Sequence, residues 1–216
     1  MMYKIITRIV CLTVFTLFAF CVYALPGYAQ TFCSTDVPLR IPPSGSEGTT
    51  FSTLDVQLRN RVLNVVVKLY INHTFQGDLV TTLISPLNTE VLLFADVDGT
   101  NDNFGTSCGD NDMNPNFVLD DDAATPVGDI DMFDPVGSFI PEEPLSTFNT
   151  ELPTGTWTLE ILDNGGGDIG DLNCWCLEIT VEPENIPTLS EWGLIAMASI
   201  LGLVGFMVLR RRKVTA

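Results

Sequence analysis

Strand-length apolar runs, separated by glycine, proline, asparagine and aspartate, constrain this chain more than any other feature. In "VLNVVVKLYIN", Val65, Val67, Leu69 and Ile71 recur at period two, so one face of an extended segment is apolar. "DLVTTLI", "EVLLFA", "TWTLEIL" and "LNCWCLEITV" add β-branched and aromatic runs of strand length. Between them, "SPLNTE", "DVDGTNDNFG" and "DNGGGDIG" supply turns and loops. No helical period of useful length occurs outside the two ends. The pattern predicts an all-β sandwich or jelly roll. Residues 96–150, the longest stretch without strand signals, are expected to form a long acidic loop.

Both ends are apolar. Lys4 and Arg8 precede "IVCLTVFTLFAFCVYAL", followed by Pro26, Gly27 and Ala29. This is the layout of a secretory signal over residues 1–29, with a mature chain beginning at Gln30; an uncleaved N-terminal anchor is the alternative. At the other end a transmembrane helix is expected over 193–209, followed by a basic cytoplasmic tail, 210–216, opening with Arg210, Arg211, Arg212 and Lys213. The roughly 155 residues between suffice for one domain.

Export sets how the cysteines are read. Cys11 and Cys21 leave with the signal, so Cys33, Cys108, Cys174 and Cys176 remain, an even number that favours two disulfides in an oxidising compartment. Cys174 and Cys176 lie two apart on a strand and share a face, opposite the Trp175, Leu177, Ile179 and Val181 face assigned to the core. Each is therefore expected to bond a distant cysteine. Cys33 with Cys176 and Cys108 with Cys174 is one solution, and the reverse pairing meets the same constraint. Cys174-Trp175-Cys176 has one intervening residue, too few for a zinc knuckle.

Between Gln30 and Asn185, 26 acids face only Arg40, Arg59, Arg61 and Lys68, a balance of −22. From Leu69 to Val208 there is no lysine or arginine. Nucleic acid is excluded as a partner on this ground, since phosphate binding needs cationic side chains. Most of the acids read as a solvated surface that keeps an exported protein soluble.

Five blocks in order, "HTFQGDLVTTLISPLNTEVLL", "DNF", "LDDDAATPV", "PLSTFN" and "GTWTLEILDNGGGDIGDLNCWCLEI", resemble those of the P domain, or P/Homo B domain, of proprotein convertases and many exported bacterial proteins. The resemblance covers about residues 55–181 and places a sandwich over 55–182, with residues 30–54 as an N-terminal segment. It implies a jelly-roll β-sandwich of about eight strands. In convertases this module lies beside a subtilisin-like catalytic domain and supports its folding, stability and calcium dependence. No subtilisin-like blocks occur in this sequence. His73 is the sole histidine, so a serine triad would have to be built on it, and no G-x-S-x-G elbow or subtilisin-like block supplies the serine context. The sequence predicts a structural His73 and no enzyme.

Some acids fall where a hard cation would bind, because calcium takes carboxylates together with carbonyls from glycine-rich turns. "LDNGGGDIGD" offers Asp163, Asn164, Asp168 and Asp171, "HTFQGDL" offers Asp78, and "LDDDA" offers Asp120, Asp121 and Asp122. Asp78, Asp120, Asp121, Asp163 and Asp168 are the expected calcium ligands, as the resemblance to several calcium-binding bacterial P domains implies. "DVDGTNDN" (Asp96, Asp98, Asn101, Asp102) is not an EF-hand, having glycine at the fourth position and no glutamate at the twelfth.

The expected function is that of a non-catalytic, exported binding or structural module whose partner is a surface protein or a polysaccharide. An accessory domain for a separate subtilisin-like protease and a carbohydrate-binding jelly roll are the alternatives. Trp157 and Trp175 alternate with apolar strand residues and read as core, which leaves little for sugar stacking.

The tail carries more than an anchor requires. "IPTLSEWG" (Ile186, Pro187, Thr188, Leu189, then Trp192 and Gly193) forms a linker and motif over 183–192 ahead of the apolar run and the basic cluster. Together they resemble the IPTL-CTERM sorting signal of Gram-negative bacteria. That resemblance implies cutting near the motif by an exosortase-type membrane enzyme, with the inner membrane a stage of transit and the cell surface or extracellular matrix the destination. A plain anchor is the alternative.

Overall fold

The computed structural model describes residues 27–42, 47–97, 101–110, 114–183 and 189–213, with backbone alone at 189–191, 209 and 211–213. The chain divides into two units at residue 183.

Among the described residues of the first unit, eleven strands form two sheets: β1 Tyr28–Cys33, β2 Leu39–Ile41, β3 Gly48–Val56, β4 Val62–His73, β5 Leu79–Ile84, β6 Glu90–Ala95, β7 Phe117–Leu119, β8 Thr125–Pro126, β9 Gly137–Ile140, β10 Gly155–Asp163 and β11 Gly170–Val181. One sheet has the order β1-β11-β4-β7-β9-β8, with β2 also pairing β11; the other runs β3-β10-β5-β6. Val65, Val67, Leu69 and Ile71 of β4 are completely buried, as are Trp175, Leu177, Ile179 and Val181 of β11. Leu79, Leu83, Trp157, Leu159 and Ile161 of the other sheet join them in one apolar core. Each such side chain contributes roughly 1.5–3 kcal/mol on burial.

Two irregularities keep the inward face consistent. In the β4–β11 pairing the register shifts between Leu172 and Cys174 and again between Thr180 and Val181. An extra residue reverses side-chain parity, so Leu172 joins Trp175 in the core although they are three apart. Val62 likewise reaches the core with Val65. Both indoles bury with their donors satisfied: Trp157 Nε1–H donates to the Pro153 carbonyl at 2.9 Å and Trp175 Nε1–H to Ser52 Oγ at 2.7 Å.

The acidic stretch after β6 is more ordered than its sequence suggests. Instead of one long loop it contains β7, β8 and β9, with β7–β9 and β8–β9 paired in parallel. Strands of two to four residues show no readable period, and distant contacts hold them: Phe104 packs on Phe94 with centroids 4.4 Å apart and on Phe117 at 5.2 Å, and Phe117 stacks on Phe139 at 5.1 Å. These short strands, with β1 and β2, take the count above the expected eight. The edge of β6 is closed by glutamates, since the Leu92 and Ala95 N–H groups donate to Glu143 and Glu142 at 2.8 and 2.9 Å.

The disulfides are Cys33–Cys176 and Cys108–Cys174. Cys33 lies opposite Cys176 in the β1–β11 register, so the first bond fastens the N-terminal strand to the last strand of the sandwich. The second anchors the acidic stretch. Residues 1–26 of the expected signal lie outside the described residues. β1 begins at Tyr28, two residues before the expected mature terminus Gln30.

The described residues of the second unit form a helix, Leu189–Lys213. Ile186, Pro187 and Thr188 lie outside the described residues; Trp192 and Arg210 are exposed, and Gly193, Arg211 and Arg212 are helical. The transmembrane helix expected over 193–209 is not supported: among the described residues no helix is long and apolar enough to cross a membrane. Residues 193–209, the stretch without charged residues, make about 25 Å of helix against a hydrocarbon core of about 30 Å. Beyond them the helix carries Ser190 and Glu191 at one end and the basic cluster at the other.

Candidate functional site

The end of β4, the 3₁₀ turn Gln76–Asp78, the end of β10 and the start of β11 meet around His73. His73 is fully buried, and so is Asp163, the last residue of β10. His73 Nε2 lies 3.1 Å from Asp163 Oδ2, while Nδ1 is 2.8 Å from the Phe75 carbonyl oxygen and 3.2 Å from the Phe75 nitrogen. Both ring nitrogens are engaged within the fold, so the ring has no free edge for a substrate. The other Asp163 oxygen accepts the Gly165 N–H at 3.0 Å.

Two glycines permit this packing. A Cβ at Gly165 would lie 2.0 Å from Asp78 Oδ2, and one at Gly170 would lie 2.0 Å from the Asn72 carbonyl oxygen and 2.8 Å from His73 Cδ2. The "DNGGGDIG" turn thus folds directly over the "HTFQGDL" segment. Further bonds close it: Asn164 N–H donates to the Asp78 carbonyl at 2.9 Å, and Thr74 Oγ1–H to Asp168 Oδ1 at 2.7 Å. Gln76 is fully buried, with its amide donating to the carbonyls of Asp102 and Asn103.

Asp78, Asp96, Asp163 and Asp168 share this end of the sandwich. The Asp78 carboxyl is held above its ordinary value, first by burial, then by the charges of Asp163 and Asp168; His73 opposes the rise and Asp96 adds to it. Asp120 and Asp121 serve elsewhere, at the turn after β7. Asp120 Oδ1 accepts the Asp122 N–H at 3.0 Å, and the two Asp121 oxygens accept the Leu145 and Ser146 N–H groups, each at 2.8 Å. The structure therefore brings together three of the five expected calcium ligands, Asp78, Asp163 and Asp168. Their oxygen chemistry suits calcium, but among the described residues no group of three or more histidine, cysteine, aspartate or glutamate side chains is placed to hold a metal ion.

The sequence did not reveal the Asp163–His73 pair or the place of Asp96, because both depend on contacts between segments distant in the chain. A lone histidine closing an apolar strand signalled only a buried imidazole that needs partners.

The fold and site together define a disulfide-stapled β-sheet module with a buried histidine–aspartate pair beneath an acidic turn. Residues 62–179 match the proprotein convertase P-domain, more than half of the chain, and the protein belongs to that family. β1 to β3, ahead of the matched region, complete the two sheets. Residues 186–212 match the IPTL-CTERM motif. No curated protein matches the sequence. Among solved structures, a serine protease of Aeromonas sobria in complex with a chaperone aligns at 16% identity and a TM-score of 0.42, covering 78% of this chain and 29% of that one. The same organism's serine protease in a separate structure gives 16% and 0.41, covering 77% and 29%. The chain thus spans less than a third of that protease's length.

Proposed function

We propose that this is an exported, non-catalytic P-domain protein of the jelly-roll type, which acts at the cell surface as a binding or structural module and is processed through its C-terminal signal. The observation that carries the reading is the sealed pair: His73 is buried with both nitrogens engaged inside the fold, and the nearest hydroxyl in sequence, Thr74, is bonded to Asp168. A catalytic histidine must face a nucleophile and a substrate, and this one faces neither. The IPTL-CTERM match supports processing by an exosortase-type enzyme.

Calcium belongs to the proposal as a stabilising ion. The carboxylates that raise Asp78 repel one another, and a hard cation shared by Asp78, Asp168 and nearby carbonyls would relieve that repulsion.

Pull-down from the native secretome, paired with a peptidase assay on the purified full chain, tests this reading. A non-protease surface partner and no cleavage of any peptide are expected. Recovery of a subtilisin-like protease would favour an accessory role in proteolysis, and retention on polysaccharide a carbohydrate-binding role. Peptidase activity that His73→Ala abolishes in a folded protein would sink the proposal.

A further inference from the structure

Loop 129–137, "DIDMFDPVG", is held firmly at its base and apolar at its tip. Ile130 is buried in the core cluster. Asp134 has a φ of 51°, its N–H donates to the Asp102 carbonyl at 3.2 Å, and its Oδ1 accepts from Asn103 Nδ2 at 2.6 Å. The Gly105 N–H donates to the Pro135 carbonyl and the Gly137 N–H to the Asn116 carbonyl, each at 2.9 Å. Between these fixed points Met132, Phe133 and Val136 are 51%, 62% and 52% exposed. Three large apolar side chains within five residues, on a backbone pinned from both sides, form a preorganised anchor of the kind that fills a partner's pocket.

The tip's charge selects its occupant. Asp129, Asp131 and Asp134 flank it, and the sequence from Leu69 to Val208 contains no lysine or arginine. An anionic bilayer would repel such a rim. A second copy of the sandwich would offer few cations, since Arg40 pairs with Asp171 and Lys68 with Glu178. We infer that loop 129–137 is a docking tip for a protein partner with an apolar cleft rimmed by lysine and arginine. This rests on the binding-module reading and names the surface and partner chemistry for it.

The test uses the full chain in a mild non-ionic detergent and fluorescence anisotropy with three labelled peptides: an amphipathic leucine–lysine helix, its leucine–glutamate counterpart and a lysine–serine control. The leucine–lysine peptide should bind best. Met132→Ser with Phe133→Ser should weaken it by about tenfold or more, and Asp131→Asn should flatten its salt dependence. Because these side chains are exposed, the melting temperature should not move. Equal binding of the leucine–lysine peptide by wild type and the double variant would overturn the inference, as would equal binding of the leucine–glutamate peptide. So would quenching of Phe133→Trp by brominated lipid in phosphatidylglycerol vesicles without peptide binding. If wild type and double variant recover the same secretome partner equally, the tip is excluded and the binding-module reading stands. If neither recovers one, that reading fails as well.

Discussion

Replacing His73 by alanine should destabilise the sandwich severely while removing no activity. His73 and Asp163 are both fully buried and 3.1 Å apart, so the substitution strands a carboxylate in the interior with one oxygen unpartnered and a ring-sized void beside it. Breaking a buried pair by deleting one partner costs about 3–5 kcal/mol, a large share of the roughly 5–15 kcal/mol that holds a domain together. For a domain of this size each kcal/mol lowers the melting temperature by about 2–4 °C, so a fall of roughly 6–20 °C is expected. Urea unfolding of the oxidised protein, followed by tryptophan fluorescence, measures it directly because Trp157 and Trp175 are both buried. Pairing His73→Gln with Asp163→Asn should cost less than the two single changes added, since each single change leaves its partner without its hydrogen bond and the double change does not. A loss below about 1 kcal/mol for His73→Ala would refute the argument, because that is the cost of an average substitution rather than of a broken buried pair.

Asp78→Asn should act in the opposite direction. With its carboxyl raised, the folded state holds a proton at a pH where the unfolded chain has released it, so this group's contribution to stability falls as pH rises from 3.8 through the raised value. In chelator the amide should therefore raise the melting temperature at neutral pH, and that gain should vanish below pH 3.8; a lowered melting temperature at neutral pH would contradict the repulsion. Millimolar calcium should raise the wild-type melting temperature by mass action, and Asp78→Asn should blunt the response; an unchanged curve would reduce these acids to surface charge. Replacing Cys108 and Cys174 together by serine removes a bond between residues 66 apart and should cost about 2–4 kcal/mol, measured by denaturant unfolding. No loss would mean that the acidic stretch is held by its aromatic packing alone.

Much of the fold could be read from the chain because burial imposes a period on a strand. β4, β5, β6, β10 and β11 are long enough to show that period, and Trp157 and Trp175 fall on its core-facing positions. β7, β8 and β9 were not legible, since two to four residues carry no period and their pairing is fixed by Phe94, Phe104, Phe117 and Phe139 from distant segments. The parity changes in β4 and β11 were hidden for a related reason: a bulge appears only when two strands are aligned. In the candidate site, the acid-rich turns pointed to Asp78, Asp163 and Asp168 together. Acid content alone could not separate them from Asp120 and Asp121, whose carboxylates bind backbone amides. The C-terminal run showed its apolar side chains but not how far the helix would continue into charged residues at both ends.

The intact mass of the surface-located protein tests the central claim most directly, because one number reports both processing events and the oxidation state. The account predicts a chain that begins near Gln30, ends near the Ile186–Thr188 motif, and weighs two hydrogens less per disulfide than its reduced form. Pro187→Ala should yield a heavier protein that fails to reach the surface. A surface form that still carries Arg210 to Ala216, with Pro187→Ala changing neither its mass nor its location, would contradict the account.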